Sequence, residues 1–217
     1  DNFNTVLWSG NSTNSRSITT GHATDWIWIK KRGTTVQSHV IADTVRGTSN
    51  NSGTGNVGIL ASNLTSAEST NSSDSGIASF DSTGFTIGAG SNTANANAPY
   101  QGTNASGHTY VGWSWKAGGT AVSNSDGTNI TSNVSANTDA GFSIVSWTGT
   151  GVGSDTVGHG LTKKPEVVIV KNRDGDSSPN YWHINHKDLA AADNNIFLNL
   201  TSAATDVNTN YSNGGIG

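Results

Sequence analysis

Tyr110-Val111-Gly112-Trp113-Ser114-Trp115-Lys116 is the stretch from which the fold is read. In an extended chain alternate residues share a face. Val111, Trp113 and Trp115 then fall on one side, with small Gly112 and Ser114 on the other. This alternation predicts a half-buried antiparallel strand with its tryptophans in the core. Working outward, Trp26 to Ile29 and Val167 to Val170 are apolar on both faces and read as central strands. Phe142 to Ser146, Tyr181 to Ile184 and Ile196 to Leu200 also read as extended. Helical hints are brief: Ser66-Ala67-Glu68, and Leu189-Ala190-Ala191-Ala192 after Asp188.

Composition points the same way. The chain has 217 residues, 32% hydrophobic and only 12% charged, with 27 Gly and an abundance of Asn, Ser and Thr. Such residues favour short strands joined by polar turns. Low charge argues against disorder, and seven Trp, four Tyr and five Phe supply large core side chains. A net charge of −4 without a basic cluster argues against nucleic-acid binding. No apolar run approaches the roughly 20 residues of a membrane-spanning helix, so no membrane insertion is expected. Zero Cys excludes disulfides and thiolate metal sites. With no Met anywhere, the chain reads as a processed or partial polypeptide.

An internal repeat orders these strands. Phe3-Asn4-Thr5-Val6-Leu7-Trp8-Ser9-Gly10 matches Phe142-Ser143-Ile144-Val145-Ser146-Trp147-Thr148-Gly149. Gly21-His22 matches Gly158-His159, and Asp25 to Arg32 matches Glu166 to Arg173. Asn63-Leu64-Thr65-Ser66-Ala67 recurs as Asn199-Leu200-Thr201-Ser202-Ala203. The reading is all-β: two consecutive antiparallel β-sandwich modules of jelly-roll type, the second incomplete. Copy one covers 1–118, a linker or connecting strand 119–139, and copy two 140–217. Ile130 and Val134 permit a strand in the connection. Copy two stops at Gly217, short of counterparts to Phe80–Gly88 and Tyr110–Lys116. It is therefore expected to expose apolar surface and open strand edges, which strands of a neighbouring subunit or partner would complete.

The chain resembles a repeat domain of otherwise unknown function found in marine bacteriophage proteins of the tail-fibre-like or virion-associated kind. The resemblance rests on Val6–Gly10, on Trp26–Lys30 before Arg32, and on His39 with Asp43–Gly47. It extends through Ser79-Phe80, Gly84–Gly88, Tyr110–Gly119, the connection and Gly141–Val145. What it implies is a virion-surface, extracellular role as fibre, appendage or capsid decoration. Homo-oligomerisation or contact with neighbouring virion proteins follows, with no assigned catalytic residue.

The remaining polar clusters offer little chemistry. His183-Ile184-Asn185-His186-Lys187-Asp188 is the densest set of candidate metal ligands, but on a strand His183 and His186 point to opposite faces. His39 and Asp43 read as a loop-securing hydrogen bond. Asp174-Gly175-Asp176-Ser177-Ser178 lacks the spacing of a calcium loop and reads as a turn. Only two glutamates, Glu68 and Glu166, are present, with no acid pair, nucleophile elbow or phosphate loop. No catalytic residue, metal or cofactor is therefore assigned, and an enzyme, with polysaccharide depolymerase as its least remote form, is not expected. Trp8 and Trp147, at matching positions, read as core, as do Trp113 and Trp115. Tyr181 and Trp182 lack an aromatic counterpart in copy one. With His183 and His186 they are the candidate contact surface for a host glycan or partner, with a core position the more expected reading of the two rings. The sequon-like Asn63 and Asn199 carry little weight in so Asn- and Thr-rich a chain.

Overall fold

The computed structural model describes residues 1–33, 37–49, 56–69, 76–89, 103–175, 180–189 and 194–206. Among these residues there is no helix, and Ser66-Ala67-Glu68 is irregular. Ala190–Ala192 and Asp176–Ser178 lie outside the described residues. In the first half the strands are β1 (Phe3–Ser9), β2 (Arg16–Thr19), β3 (Trp26–Arg32), β4 (Val40–Asp43) and β5 (Thr48–Ser49). They continue as β6 (Asn56–Val57), β7 (Leu60–Ala61), β8 (Ile77–Asp81), β9 (Gly84–Ile87) and β10 (Thr109–Trp115). The second half holds β11 (Val122–Asn124), β12 (Ser132–Asn137), β13 (Phe142–Ser146) and β14 (Val167–Lys171). It ends with β15 (Trp182–His186), β16 (Asn194–Phe197) and β17 (Thr205–Asp206).

The first half is a two-layer β-sandwich. A five-stranded antiparallel sheet, ordered β1-β10-β3-β4-β7, faces a three-stranded sheet ordered β2-β9-β8. Trp8, Ile27, Ile29, Val40, Ala42, Ala61 and Tyr110 from the large sheet meet Ile18, Ile77, Phe85 and Ile87 from the small one. Opposed inner faces of this kind make a sandwich core. Ser82 and Thr83 turn β8 into β9. Gly84 follows because the Ile18 carbonyl leaves no room for a Cβ there.

The alternation in β10 is present with its faces exchanged. Tyr110, Gly112 and Ser114 are buried toward the core, while Trp113 and Trp115 are half-buried on the opposite face. The cause is side chains arriving from neighbouring strands. Trp8 stacks on Tyr110 with centroids 5.5 Å apart. A Cβ on Gly112 would sit 3.1 Å from the Trp8 ring and 3.3 Å from Ile27 Cδ1. Gly and Ser face inward because larger residues would collide with that packing.

In the second half, β11-β12-β13 form one antiparallel sheet and β14-β15-β16-β17 another. β14, expected to be central, is an edge strand, since among the described residues only β15 pairs with it. Trp147, expected in the core, is 41% exposed. The rings that bury Trp8, Tyr110 and Phe85, belong to strands with no equivalent among the described residues here.

Candidate functional site

The outer face of the five-stranded sheet carries the largest concentration of aromatic residues. Cross-strand pairing sets Trp26 opposite Trp115 and Trp28 opposite Trp113. Their ring centroids lie 4.6 and 6.0 Å apart, in edge-on arrangements. Phe3 lies 4.6 Å from Trp115. Such geometry suits the ring quadrupoles. Phe142 of β13 covers one end, stacked on Trp115 at 6.1 Å and against Trp26 at 6.4 Å. At the other end Trp182 and Leu198 pack on Ile41, Leu60, Trp26 and Trp28.

Trp182 is thus a docking ring between halves and not a surface one. It is 5% exposed, and its Nε1 donates to the Ala61 carbonyl at 2.9 Å. Of the two readings of Trp182, core and contact surface, the structure gives the first, because the first half's sheet occupies the face a glycan would need. Burying an indole with its N–H satisfied removes a large apolar area from water at no polar cost. Tyr181 and His183 stay half-buried, packing on Phe197 at 5.0 and 5.1 Å. His186 is half-buried on the other face, since His183 pairs with Val170 and His186 with Val167. The two histidines therefore do not converge. Among the described residues no group of three or more His, Asp or Glu is placed to hold a metal ion.

A charged latch flanks Trp182. Arg46 Nε is 2.5 Å from Asp43 Oδ2, and Arg46 Nη1 is 3.1 Å from Glu68 Oε1. Glu68 Oε2 accepts from Arg173 of the second half, and Glu68 N donates to the Arg173 carbonyl at 2.8 Å. Asp43 therefore secures its loop through Arg46, whose amide and guanidinium both donate to it, and not through His39. Lys171 Nζ reaches the carbonyls of Asn172, Asn180 and, across the junction, Thr65. Burial lowers the Lys171 pKa to about 8. Desolvation lowers His183 as well, with Lys171 adding to the effect.

The connection is tied down at its start. Asn137 Nδ2 donates to Asn2 Oδ1 at 3.1 Å and to the Lys116 carbonyl at 3.2 Å. Gly118 N donates to Ser135 Oγ at 3.0 Å, and the Ala136 backbone excludes a Cβ at Gly118.

The two halves make the same local bonds at corresponding places. His39 N donates to Asn63 Oδ1 at 3.0 Å, and Trp182 N to Asn199 Oδ1 at 3.0 Å. Ser62 N donates to the His39 carbonyl at 3.3 Å, and Leu198 N to that of Trp182 at 3.1 Å. Lys30 Nζ donates to the Gln37 carbonyl at 2.9 Å, as Lys171 Nζ does to Asn180 at 3.2 Å. Thr44 N and Lys187 N donate to Asp25 O and Glu166 O, each at 2.9 Å. His39 is therefore the positional counterpart of Trp182, a match hidden from the sequence by unequal loops. Asn63 and Asn199, whose sequon context meant little, hold these hairpins in register.

One constellation escaped the sequence reading. Ser114 Oγ lies 2.7 Å from His22 Nε2, with Thr24 Oγ1 at 3.2 Å and Asp25 nearby in the chain. It is not a hydrolytic triad. Ser114 is wholly buried, and among the described residues His22 Nδ1 has no hydrogen-bond partner to orient it. The Asp25 carboxylate accepts instead from Ala117 N and Thr44 Oγ1. Burial lowers the His22 pKa and favours the neutral ring. The signal available was Gly21-His22, one of the repeated landmarks.

These features define an all-β protein of the sandwich-like class, whose second half docks on the first through a ring and a charged latch. The chain belongs to the family described as Domain of unknown function (DUF7483), whose model matches residues 1–215. No curated protein and no solved structure matches it.

Proposed function

We propose that the chain is a structural or adhesive protein of a phage virion surface, a tail fibre, appendage or capsid-attached decoration. It would work there as two copies of one β-module that self-associate. One observation carries the reading: Trp147, Val167 and Ile169 are 41%, 48% and 47% exposed, the latter two on a strand with an edge that no described residue pairs with. Exposed apolar residues beside an unpaired strand edge favour association. The virion setting rests on the resemblance of Trp26–Lys30, Asp43–Gly47 and Tyr110–Gly119 to tail-fibre-like repeat domains. No catalytic role is proposed, since the buried Ser114–His22 pair offers no access to substrate.

Light scattering on the purified chain, with immunogold labelling of virions, tests this. Concentration-dependent oligomers and label on the particle surface are expected. A monomer at all concentrations together with unlabelled particles would remove the reading. The glycan-binding alternative loses Trp182 and keeps only half-buried Tyr181, His183 and His186, and no observation favours it.

A further inference from the structure

β3 and β14 correspond strand for strand, yet their edges are used differently. β3 is bonded on one side to β4 and on the other to β10. Among the described residues β14 is bonded to β15 alone. Exposure follows this difference. Trp26 and Trp28, half-buried on β3, are flanked by Trp115 and Trp113 of β10. Their counterparts Val167 and Ile169 stand about half exposed, at 48% and 47%. Trp8, beside Tyr110 and over Gly112, is 7% exposed, whereas its counterpart Trp147 is 41% exposed.

The Val167–Val170 part of the β14 edge also carries no guard of its own, the charges and proline lying just before it at Lys163, Lys164, Pro165 and Glu166. Edge strand β1 of the first half, by contrast, has Thr5 N donating to Asn4 Oδ1 and Arg16 Nη1 donating to the Ser9 carbonyl. Edges left open in stable proteins usually carry charges, prolines or bulges. Val167-Val168-Ile169-Val170 has none of these, and the Lys171 amine is held by carbonyls.

We infer that the outer edge of β14 binds, antiparallel, an extended protein segment of the β10 type. Such a segment alternates bulky aromatics on one face with Tyr and small residues on the other, as Tyr110–Trp115 does. The inference rests on the association proposed above and names its site and partner chemistry. The first half supplies the register. Trp115 opposes Trp26, Trp113 opposes Trp28 and Val111 opposes Lys30. The incoming aromatics would therefore cover Val167 and Ile169, with an aliphatic residue beside Lys171. The small residues of the other face leave room for a ring, as Gly112 does for Trp8. Main-chain bonds give such strand addition its affinity and alternate side chains its specificity.

The test is titration of the isotope-labelled 217-residue chain with a synthetic peptide of its own Thr109–Lys116 sequence, followed by NMR. Saturable one-to-one binding is expected, with shifts at the Val167–Val170 amides. A peptide of equal composition with its alternation scrambled should not bind. Ile169→Lys, at an exposed position, should weaken binding by about tenfold, as loss of an anchor side chain does, and Val167→Lys provides a second such variant. Equal binding of the scrambled peptide, shifts confined to β1, or no saturable binding would overturn the inference. So would β14 amides already protected in a peptide-free dimer, which would assign the edge to a second copy. That last result would leave the proposed self-association standing. A monomer that binds the peptide would do the reverse.

Discussion

Trp8 and Trp147 hold corresponding positions and meet different fates. Trp8 is stacked on Tyr110, edge-on to Phe85 at 6.0 Å, and donates its Nε1 to the Thr103 carbonyl at 2.8 Å. Trp147 is 41% exposed. The same short motif therefore gives a core residue in one half and a surface residue in the other. Burial belongs to the neighbours a strand acquires, and motif alone does not confer it.

The sharpest way to break the comparison is to truncate both rings. Trp8→Ala should cost about 3–5 kcal/mol, the usual effect of emptying a core aromatic site. Trp147→Ala should cost less than about 0.5 kcal/mol, as surface changes do. Denaturant unfolding of both variants measures the difference, and equal costs would mean that the second half owns a core of its own.

Trp182→Ala comes next, at about 3 kcal/mol from lost burial at the junction. Hydrogen exchange should quicken across β14 to β16 and leave β1, β3 and β10 protected. Uniform loss of protection would show instead that the halves unfold as one unit. Glu68→Gln should cost about 1–3 kcal/mol, because Arg46 and Arg173 lose a charged acceptor. Its side chain is 10% exposed, between partners 5% and 42% exposed. A comparable loss in a separately expressed first half would place its effect on Arg46 alone.

The smallest effect is on pH. Lys171 titrates at about 8 when folded, below its ordinary 10.5, so the unfolded chain binds more protons between those values. Junction stability should therefore rise as pH increases from about 8 to 10.5. His183, lowered from 6.5 by burial, acts alike at lower pH: stability falls as pH drops below that value. Lys171→Met should flatten the upper limb, read from thermal melts across pH, and a slope that survives this change would assign it elsewhere.

The all-β class, the strand positions and the matching landmarks were legible because alternation and turn chemistry are local. Which face of β10 turns inward was not. Large side chains suggested that Trp113 and Trp115 were core, but the core over β10 is filled by Trp8 and Ile27, residues distant in sequence. What buries Trp182 was hidden for a related reason. Its counterpart is His39, and only backbone bonds to Asn63 and Asn199 reveal the pairing. The latch was invisible because Glu68 and Arg173 lie 105 positions apart and share no pattern.

Asn137 has a mechanical consequence. The start of β1 and the end of β10 lie at the same end of their ladder, with Phe3 opposite Trp115. Tension between the amino terminus and the second half would thus peel the two strands apart rung by rung, the direction in which a ladder resists least. The amide of Asn137 grips Asn2 and Lys116 together at that fork. Pulling must first tear out this rivet, so the chain under load would begin to fail where β12 is pinned to the sandwich.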